Sequence, residues 1–434
     1  MSTRPYWHPF WEASPPDELV PIVEERLREQ LRWVLERSTF YREKLAGVDP
    51  EGFTLERLPE LPFTVKDEVR RTQEEHGPFG GHACVGWEEV ARVHASSGTT
   101  GQPTLVAATK SDLDGWNEIM ARCLWAQGVR PSSRAWVPVP LGWWIAGLSF
   151  VEALEHLGAA VLPSGNTEAA RTFRVLARTG ADYANGTPSL MRHLASVARD
   201  ELGLDPRSLG LSSIGIGGEP GAGLPHVRRQ LEEEWGATVY DNMGTADFCT
   251  LLWSECEAQD GMHFMGSGYV HPELVDLETL EPLAIEEGAV GELVYTAVSR
   301  QCTPLLRFRI GDIARVVGAG TCSCGRTSFR ILCVGRSDDM LICQGVNVYP
   351  SAVADVVASF RPRTTGQLAI EVAGTGPSVA PPVSILVEAT ENGGLKVELE
   401  ARIRSELVFR ADVRLVEPGS LARPGVKTAL VRRR

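Results

Sequence analysis

His94-Ala95-Ser96-Ser97-Gly98-Thr99-Thr100-Gly101-Gln102-Pro103-Thr104 is the stretch from which the rest of the chain is read. Between Ser96 and Gly101 it packs four hydroxyl side chains and two glycines into six residues. Such a run has no apolar face to bury, so it cannot be a core strand. Glycine lets backbone approach a ligand closely. Successive N–H groups in a turn form a concavity for anions, and Ser and Thr hydroxyls add donors. A polyphosphate suits that chemistry. A plain Ser/Thr/Gly surface loop has the same composition, and only the complete string separates the two. The Gly-Lys-Ser/Thr ending of a Walker loop is absent.

Composition narrows the classes. A chain of 434 residues exceeds one typical core and should divide into at least two domains. With 43% hydrophobic and 23% charged residues it reads as an ordinary globular protein. A net charge of −13 argues against a nucleic-acid partner, which needs a basic face; Arg432-Arg433-Arg434 reads as a solvated tail. The N-terminus carries no signal pattern, and no apolar run reaches the ~18 residues of a bilayer span. The expectation is a cytoplasmic protein without a membrane partner. Nine cysteines without a secretion signal should be reduced, with a subset free to bind metal.

Periodicity supplies the outline. Residues 18–46 read as one amphipathic helix, and Leu61 to Lys66 as a turn into another, with Thr64 as its cap. A helix is expected over Asp112–Ala126 after Ser111. Strands at 135–139, 159–162, Tyr183 and 213–216 alternate with helices at 147–157, 188–198 and 225–234. That rhythm predicts an α/β fold with a mostly parallel sheet. From Gly291 short strands crowd together (291–296, 313–317), predicting a β-rich part over 291–334. Beyond Gly335, strands at 341–342, 369–372, 383–387 and 413–416 with helices at 350–360 and 396–407 predict a compact α+β unit. Gly374–Pro382 is expected to be a loop within it.

The string Ser-Ser-Gly-Thr-Thr-Gly-x-Pro-Thr resembles the phosphate-binding loop of the adenylate-forming superfamily, most of all its phenylacetate–CoA ligase family. Thr104 stands where most relatives carry Lys. Five further segments match in order. They are Ile214-Gly215-Ile216-Gly217-Gly218-Glu219-Pro220, Tyr240-Asp241-Asn242-Met243-Gly244-Thr245-Ala246-Asp247, Arg307-Phe308-Arg309-Ile310-Gly311-Asp312, Gly335 through Pro350, and Arg423-Pro424-Gly425-Val426-Lys427. The second departs from the family's Asp-Ile-Tyr-Gly-Leu-Ser-Glu, with Met243, Ala246 and Asp247 in place of Tyr, Ser and Glu.

The resemblance implies an N-terminal core over 1–337 and a mobile lid over 338–434, with Asp338 as hinge. It implies ATP held by Ser96, Ser97, Gly98, Thr99, Thr100, Gly101 and Thr104, with Gly218, Glu219, Pro220, Asp241, Met243, Gly244 and Thr245 around the nucleotide. Asp312 would accept from the ribose hydroxyls, and Arg336 would reach the nucleotide. Asp247 would bind Mg2+, Asp being a hard-oxygen ligand one methylene shorter than Glu. Lys427 would stabilise charge at the α-phosphate, and Gly345 and Asn347 would border the coenzyme A tunnel.

The acid pocket falls on Trp143, Trp144, Ile145, Ala146, Gly147, Gly217 and Gly218. Two adjacent tryptophans favour a compact aryl acid, benzoate or an aminobenzoate such as anthranilate, over phenylacetate; plain core packing is the other reading of both rings. Cys256 and His263, with six residues between them, and Cys322 and Cys324 form a candidate closed zinc set, against which stands a group of buried reduced thiols. The expected reaction is acid plus ATP to acyl-AMP and pyrophosphate, then thioester formation on coenzyme A, in a homodimer. The alternatives on the same motifs are a phenylacetate–CoA ligase, an aryl-acid adenylase loading a separate carrier protein, and a non-catalytic nucleotide-binding regulator.

Overall fold

A computed structural model describes residues 4–96, 103–219, 221–337, 340–344, 346–374, 378–421 and 430–433, with backbone alone at 346 and 347. At the N-terminus, helices α1 (Pro9–Ala13), α2 (Pro16–Arg37) and α3 (Thr39–Lys44) replace the single helix expected over 18–46. Ser38 makes the break. Its backbone is extended, and its hydroxyl accepts from the Tyr41 N–H at 3.0 Å while donating to the Gly81 carbonyl at 2.8 Å. A serine hydroxyl competes with helical bonds in this way and starts a new helix.

Helix α4 (Lys66–His76) starts one residue later than a Thr64 cap requires. Thr64 is fully buried, and its backbone is bonded to Arg307 and Arg309 instead. At the N-cap position, the Val65 N–H donates to the Glu68 carboxylate at 2.9 Å. Strands β1 (Arg92–Ala95) and β2 (Leu105–Ala108) then pair antiparallel. Helix α5 (Lys110–Ala126) begins before Ser111. Its cap is Thr109, whose hydroxyl accepts from the Asp112 N–H at 3.1 Å while the Asp112 carboxylate accepts from the Thr109 N–H at 2.9 Å.

The next segments alternate. They are β3 (Arg134–Trp136), α6 (Ile145–Leu157), β4 (Ala160–Leu162), α7 (Ala169–Thr179), β5 (Tyr183–Gly186), α8 (Pro188–Ser196), β6 (Ser213–Ile216), α9 (Pro225–Trp235) and β7 (Thr238–Thr245). The strands that follow are β8 (Cys249–Ser254), β9 (Met262–Phe264), β10 (Val270–Val275), β11 (Val290–Ala297), β12 (Phe308–Gly318) and β13 (Arg330–Arg336). Among the described residues these form one 11-stranded sheet in the order β10-β11-β12-β13-β9-β8-β7-β6-β5-β3-β4.

The sheet is mixed, which corrects the mostly parallel expectation. It is parallel from β7 through β6, β5 and β3 to β4, and antiparallel from β7 out to β10. Helical crossovers return the chain to the same edge, whereas the short connections after β7 can only turn it back. The β-rich part expected at 291–334 is therefore the continuation of this sheet. No helix among the described residues is long and apolar enough to cross a membrane.

Past Arg336 the chain builds a second core. Strands β14 (Leu341–Cys343) and β15 (Val346–Val348) precede α10 (Pro350–Ser359), β16 (Thr364–Val372), β17 (Ser378–Val379), β18 (Val383–Ala389), α11 (Leu395–Leu407), β19 (Ala411–Val416) and β20 (Val431–Arg433). They form a sheet ordered β15-β14-β17 and another ordered β19-β18-β16-β20. Val353, Val357, Ile370, Ile385, Leu399 and Ile403 are fully buried between sheet and helices. Two expectations change here. The 374–382 stretch contributes β17, paired parallel with β14, and Arg432 and Arg433 belong to β20 rather than a solvated tail. This unit meets the larger one where His226 on α9 pairs with Asp355 on α10 at 2.5 Å, and where the Ser351 hydroxyl donates to the Val334 carbonyl at 2.8 Å.

Candidate active site

The hairpin β1–β2 brings Ser96 and Thr104 together. The Ser96 N–H donates to the Thr104 carbonyl at 2.9 Å, and the two hydroxyls lie 2.8 Å apart. Thr104 is buried, so the hydroxyl at the position where relatives carry Lys is spent on the loop base. Ser97, Gly98, Thr99, Thr100 and Gly101 lie outside the described residues.

Two contacts extend from this base. The Ala95 N–H donates to the Trp143 carbonyl at 3.1 Å. From α4, Gln73 holds Leu105 through its carbonyl at 2.7 Å and its N–H at 3.1 Å. The first residue of that helix, Lys66, forms an ion pair with Asp247. The expected magnesium ligand thus already carries a cation, supplied from a position that sequence spacing did not single out. Arg300 anchors the same turn, donating to the Asp247 carbonyl at 2.5 Å and the Phe248 carbonyl at 3.3 Å.

Glycines shape the strand ends facing this loop. Ligands of parallel sheets bind beyond the carboxyl ends of the strands. Gly217 follows β6, and a Cβ there would sit 2.4 Å from the Asn242 carbonyl oxygen. Gly218 has φ +79°; a Cβ on it would lie 3.6 Å from Thr187 and 3.9 Å from the Trp144 ring. Glu219 accepts from the Ser189 hydroxyl at 2.6 Å, and Pro220 lies outside the described residues. On β7, a Cβ on Gly244 would fall 2.2 Å from the Thr250 carbonyl oxygen. Glycine is needed there for β8 to close on β7, and the register shifts at that point between Met243 and Thr245. Met243 stays half-buried, and the Thr245 hydroxyl is 3.3 Å from the Asp247 carboxylate.

Asp241, expected beside the nucleotide, is held by protein groups in this structure. It is buried, and its carboxylate accepts from the Gly223 N–H at 2.9 Å. A Cβ on Gly221 would fall 2.5 Å from its Oδ1, so the 221–223 turn wraps directly onto the carboxylate. Burial, and next the nearby Glu255 carboxylate, push Asp241 up to about 7. Glu255 is itself fully buried and paired with Arg228 at 2.7 Å.

Asp312 and Arg336 face each other across β12 and β13 and form an ion pair at 2.8 Å. The expected ribose acceptor and nucleotide-reaching cation are thus one cross-strand pair. Asp338, Gly345 and Lys427 lie outside the described residues, as does the side chain of Asn347.

The two tryptophans expected to wall the acid pocket have different environments. Trp143 is 72% exposed, whereas Trp144 opens α6 half-buried beside Gly218. Ile145, Ala146 and Gly147 are buried in the first turn of that helix. A Cβ on Gly147 would sit 2.0 Å from the Pro140 carbonyl oxygen, which leaves only glycine room against the 140–141 turn.

Elsewhere the structure gathers Cys256, His263, Cys322 and Cys324, with all ligand atoms within 4.8 Å of one another. Cys256 Sγ is 3.9 Å from Cys322 Sγ, and Cys324 Sγ is 3.6 Å from His263 Nε2. A tetrahedral zinc with Zn–S of ~2.3 Å and Zn–N of ~2.05 Å has S···S edges of ~3.8 Å and S···N edges of ~3.6 Å, so the donor set fits that ion. His263 Nδ1 lies 3.4 Å from the Ser328 hydroxyl, which orients the ring. The hydrogen bond from Cys256, then that from His263, hold the Cys324 thiol well below its ordinary range. Around the cluster, Arg326 donates to Cys324 Sγ at 3.6 Å and pairs with buried Glu12 at 2.7 Å, while the Tyr6 hydroxyl donates to the Cys324 carbonyl at 3.0 Å.

A hydroxyl-rich loop base, glycine-lined strand ends and a carboxylate set opposite them define an adenylate-forming enzyme. Residues 43–299 match the family described as AMP-binding enzyme, and the chain belongs to that family. It is an AMP-forming acid–CoA ligase.

Among curated relatives, the chain is 38% identical to the phenylacetate-coenzyme A ligase of Thermus thermophilus, over 94% of this chain and 89% of that protein. It is 32% identical to the phenylacetate-coenzyme A ligase of Escherichia coli, over 97% and 96%. Its structure is similar to 2-hydroxyisobutyryl-CoA ligase in the postadenylation state with 2-HIB-AMP, at TM-score 0.91 and 29% identity, covering 100% of this chain and 93% of that one. Against the same ligase in its thioesterification state, with 30% identity and the same coverage, the TM-score is 0.74. The arrangement of this chain is thus closer to the postadenylation one.

Proposed function

We propose that the chain activates an arylacetic acid of the phenylacetate class with ATP and transfers it to coenzyme A. Identity to phenylacetate ligases along nearly the whole chain carries this reading. Preference for benzoate or anthranilate requires two tryptophans narrowing the pocket. Trp143 is exposed and one indole, that of Trp144, stands beside Gly218, which favours the larger arylacetic acid.

In this reading the 96–104 loop holds the β- and γ-phosphates. In-line attack of the carboxylate on the α-phosphorus is then governed by positioning and charge neutralisation. Magnesium, when bound, supplies charge neutralisation at the phosphates. Asp247 would hold it, sharing its carboxylate with Lys66 or exchanging Lys66 for the ion. Arg336 and Asp312 separate or turn together to meet the ribose. Lys427 serves the α-phosphate during adenylation. The unit from 338 onward then turns about Asp338, bringing Gly345 and Asn347 to the coenzyme A path.

Zinc held by Cys256, His263, Cys322 and Cys324 would be structural, since four protein ligands leave no open position. The test is pyrophosphate release across phenylacetate, benzoate and anthranilate, with mass spectrometry of the thioester and a phosphopantetheinylated protein as rival acceptor. Phenylacetate should give the highest kcat/KM with coenzyme A. Higher values for benzoate or anthranilate would restore the compact-acid reading.

A further inference from the structure

Asn185 lies on β5, fully buried, and neither Oδ1 nor Nδ2 has a hydrogen-bond partner among the described residues. An unmet buried amide carries a desolvation penalty, so its surroundings indicate what it serves. Residues two apart on a strand share a face. Two before Asn185, the Tyr183 hydroxyl donates at 2.8 Å to Gln127, the residue that closes α5. Asn185 therefore faces the α5 layer, at the carboxyl end of its strand, where ligands of parallel sheets bind.

Its cross-strand neighbour is Gly215. A Cβ on Gly215 would meet Gln127 and Tyr183 at 2.4 Å, and one on Gly217 would meet the Asn242 carbonyl oxygen at 2.4 Å. Neither glycine leaves room for a side chain, the Gln127 and Tyr183 side chains filling the space beside Gly215 and the Asn242 backbone that beside Gly217. Thr187, two residues further along from Asn185, and Trp144 are the side chains nearest Gly218 at the next level. The acid lies here if the proposed function holds, and the inference rests on that reading.

We propose that Asn185 reads a hydroxyl group on the substrate acid. Nδ2–H donates to the hydroxyl oxygen, and the hydroxyl donates to Oδ1. A hydroxyl is both donor and acceptor and satisfies both amide atoms. An unsubstituted ring satisfies neither, and an aryl amine serves Oδ1 alone. The substrate class is accordingly a hydroxylated acid, within the arylacetic reading a hydroxyphenylacetate.

The test uses pairs of acids differing by one hydroxyl: phenylacetate with its ring-hydroxylated isomers, benzoate with salicylate, and isobutyrate with 2-hydroxyisobutyrate. Adenylation is read as ATP–pyrophosphate exchange for the full chain, Asn185→Leu and Asn185→Ser. One hydroxylated acid should exceed its partner in kcat/KM by about 10²-fold or more. Asn185→Leu should abolish that ratio while holding the unsubstituted partner within a few-fold. Asn185→Ser, which adds no bulk, should give an intermediate ratio and decides the matter if the Leu variant does not fold.

No hydroxyl gain in the unaltered enzyme overturns the proposal. So does equal loss of both partners in a variant, or an unchanged ratio with a raised Tm, which marks a structural amide. A gain confined to the aliphatic pair upholds Asn185 and overturns the arylacetic reading. Phenylacetate turnover with no hydroxyl gain does the reverse.

Discussion

Cys256→Ala takes one corner from the Cys256, His263, Cys322 and Cys324 set. That corner is fully buried and 3.9 Å from Cys322, a residue 66 positions later in the chain. The ion would therefore cross-link two distant segments of one sheet. At free zinc about 1,000-fold above its Kd, binding stabilises the native state by roughly 4 kcal/mol. Unfolding entropy of ~2.1 cal/mol/K per residue over a core of roughly 330 residues comes to ~0.7 kcal/mol/K, so losing the ion should lower Tm by about 6 °C. Elemental analysis should find about one zinc per chain in the unaltered protein and little in the variant. Calorimetry at several buffered zinc concentrations supplies the second readout. Tm should climb with the logarithm of free zinc for the unaltered protein and stay flat for Cys256→Ala. A metal-free purified protein whose Tm matches the variant's would sink the zinc assignment, as would a variant that keeps its zinc.

Asp247→Ala should cut adenylation by about 10²-fold or more at saturating magnesium with the circular dichroism unchanged; near-normal pyrophosphate release would move the metal role elsewhere. Asp241 gives a pH signature. Its folded pKa of about 7 lies above the ordinary 3.8, so the folded chain holds a proton the unfolded chain has lost, and stability declines as pH rises through that window. Asp241→Asn should flatten the Tm profile between pH ~4 and ~7, and parallel profiles would refute the assignment. Lys427→Ala should slow acyl-AMP formation by ~10²–10³-fold yet convert synthetic acyl-AMP and coenzyme A at close to the normal rate. Equal loss in both half-reactions would end the two-step alternation proposed for residues 338–434.

What could be read in advance follows from the range of each interaction. The βα rhythm from Arg134 to Trp235 is local and periodic, and it foretells the parallel half of the sheet. The antiparallel half depends on connection length and on pairings such as Arg330 with His263, which no local pattern contains. Cysteine and histidine stand out by residue type, so the four members of the Cys/His cluster could be named before its geometry. The Lys66–Asp247 pair was not, because its partners are 181 residues apart and Lys66 reads as an ordinary first-turn residue. Asp312 and Arg336 were each singled out in the sequence as candidates for the nucleotide, but their pairing needed the β12–β13 register. Trp143 and Trp144 are identical letters in sequence, yet the turn into α6 sends one to solvent and the other to the glycines. Asn185 gave no signal beyond being polar in an apolar strand, which is the one cue that could have flagged it.

Strand β9 is three residues long and bridges β8 to β13, the latter made some sixty-six residues later. On a ribosome adding ~5–20 residues per second, that interval lasts about 3–13 s. Throughout it, β9 is an unfinished edge open to solvent, and Cys256 and His263 are two of the four residues of the candidate zinc set. Vectorial synthesis therefore orders events in this part of the chain. The edge can be sealed only after Arg330 and Ile331 emerge, and by then Cys322 and Cys324 have already appeared. Pauses in translation just after His263 would lengthen the vulnerable interval, and pauses after Arg336 would not.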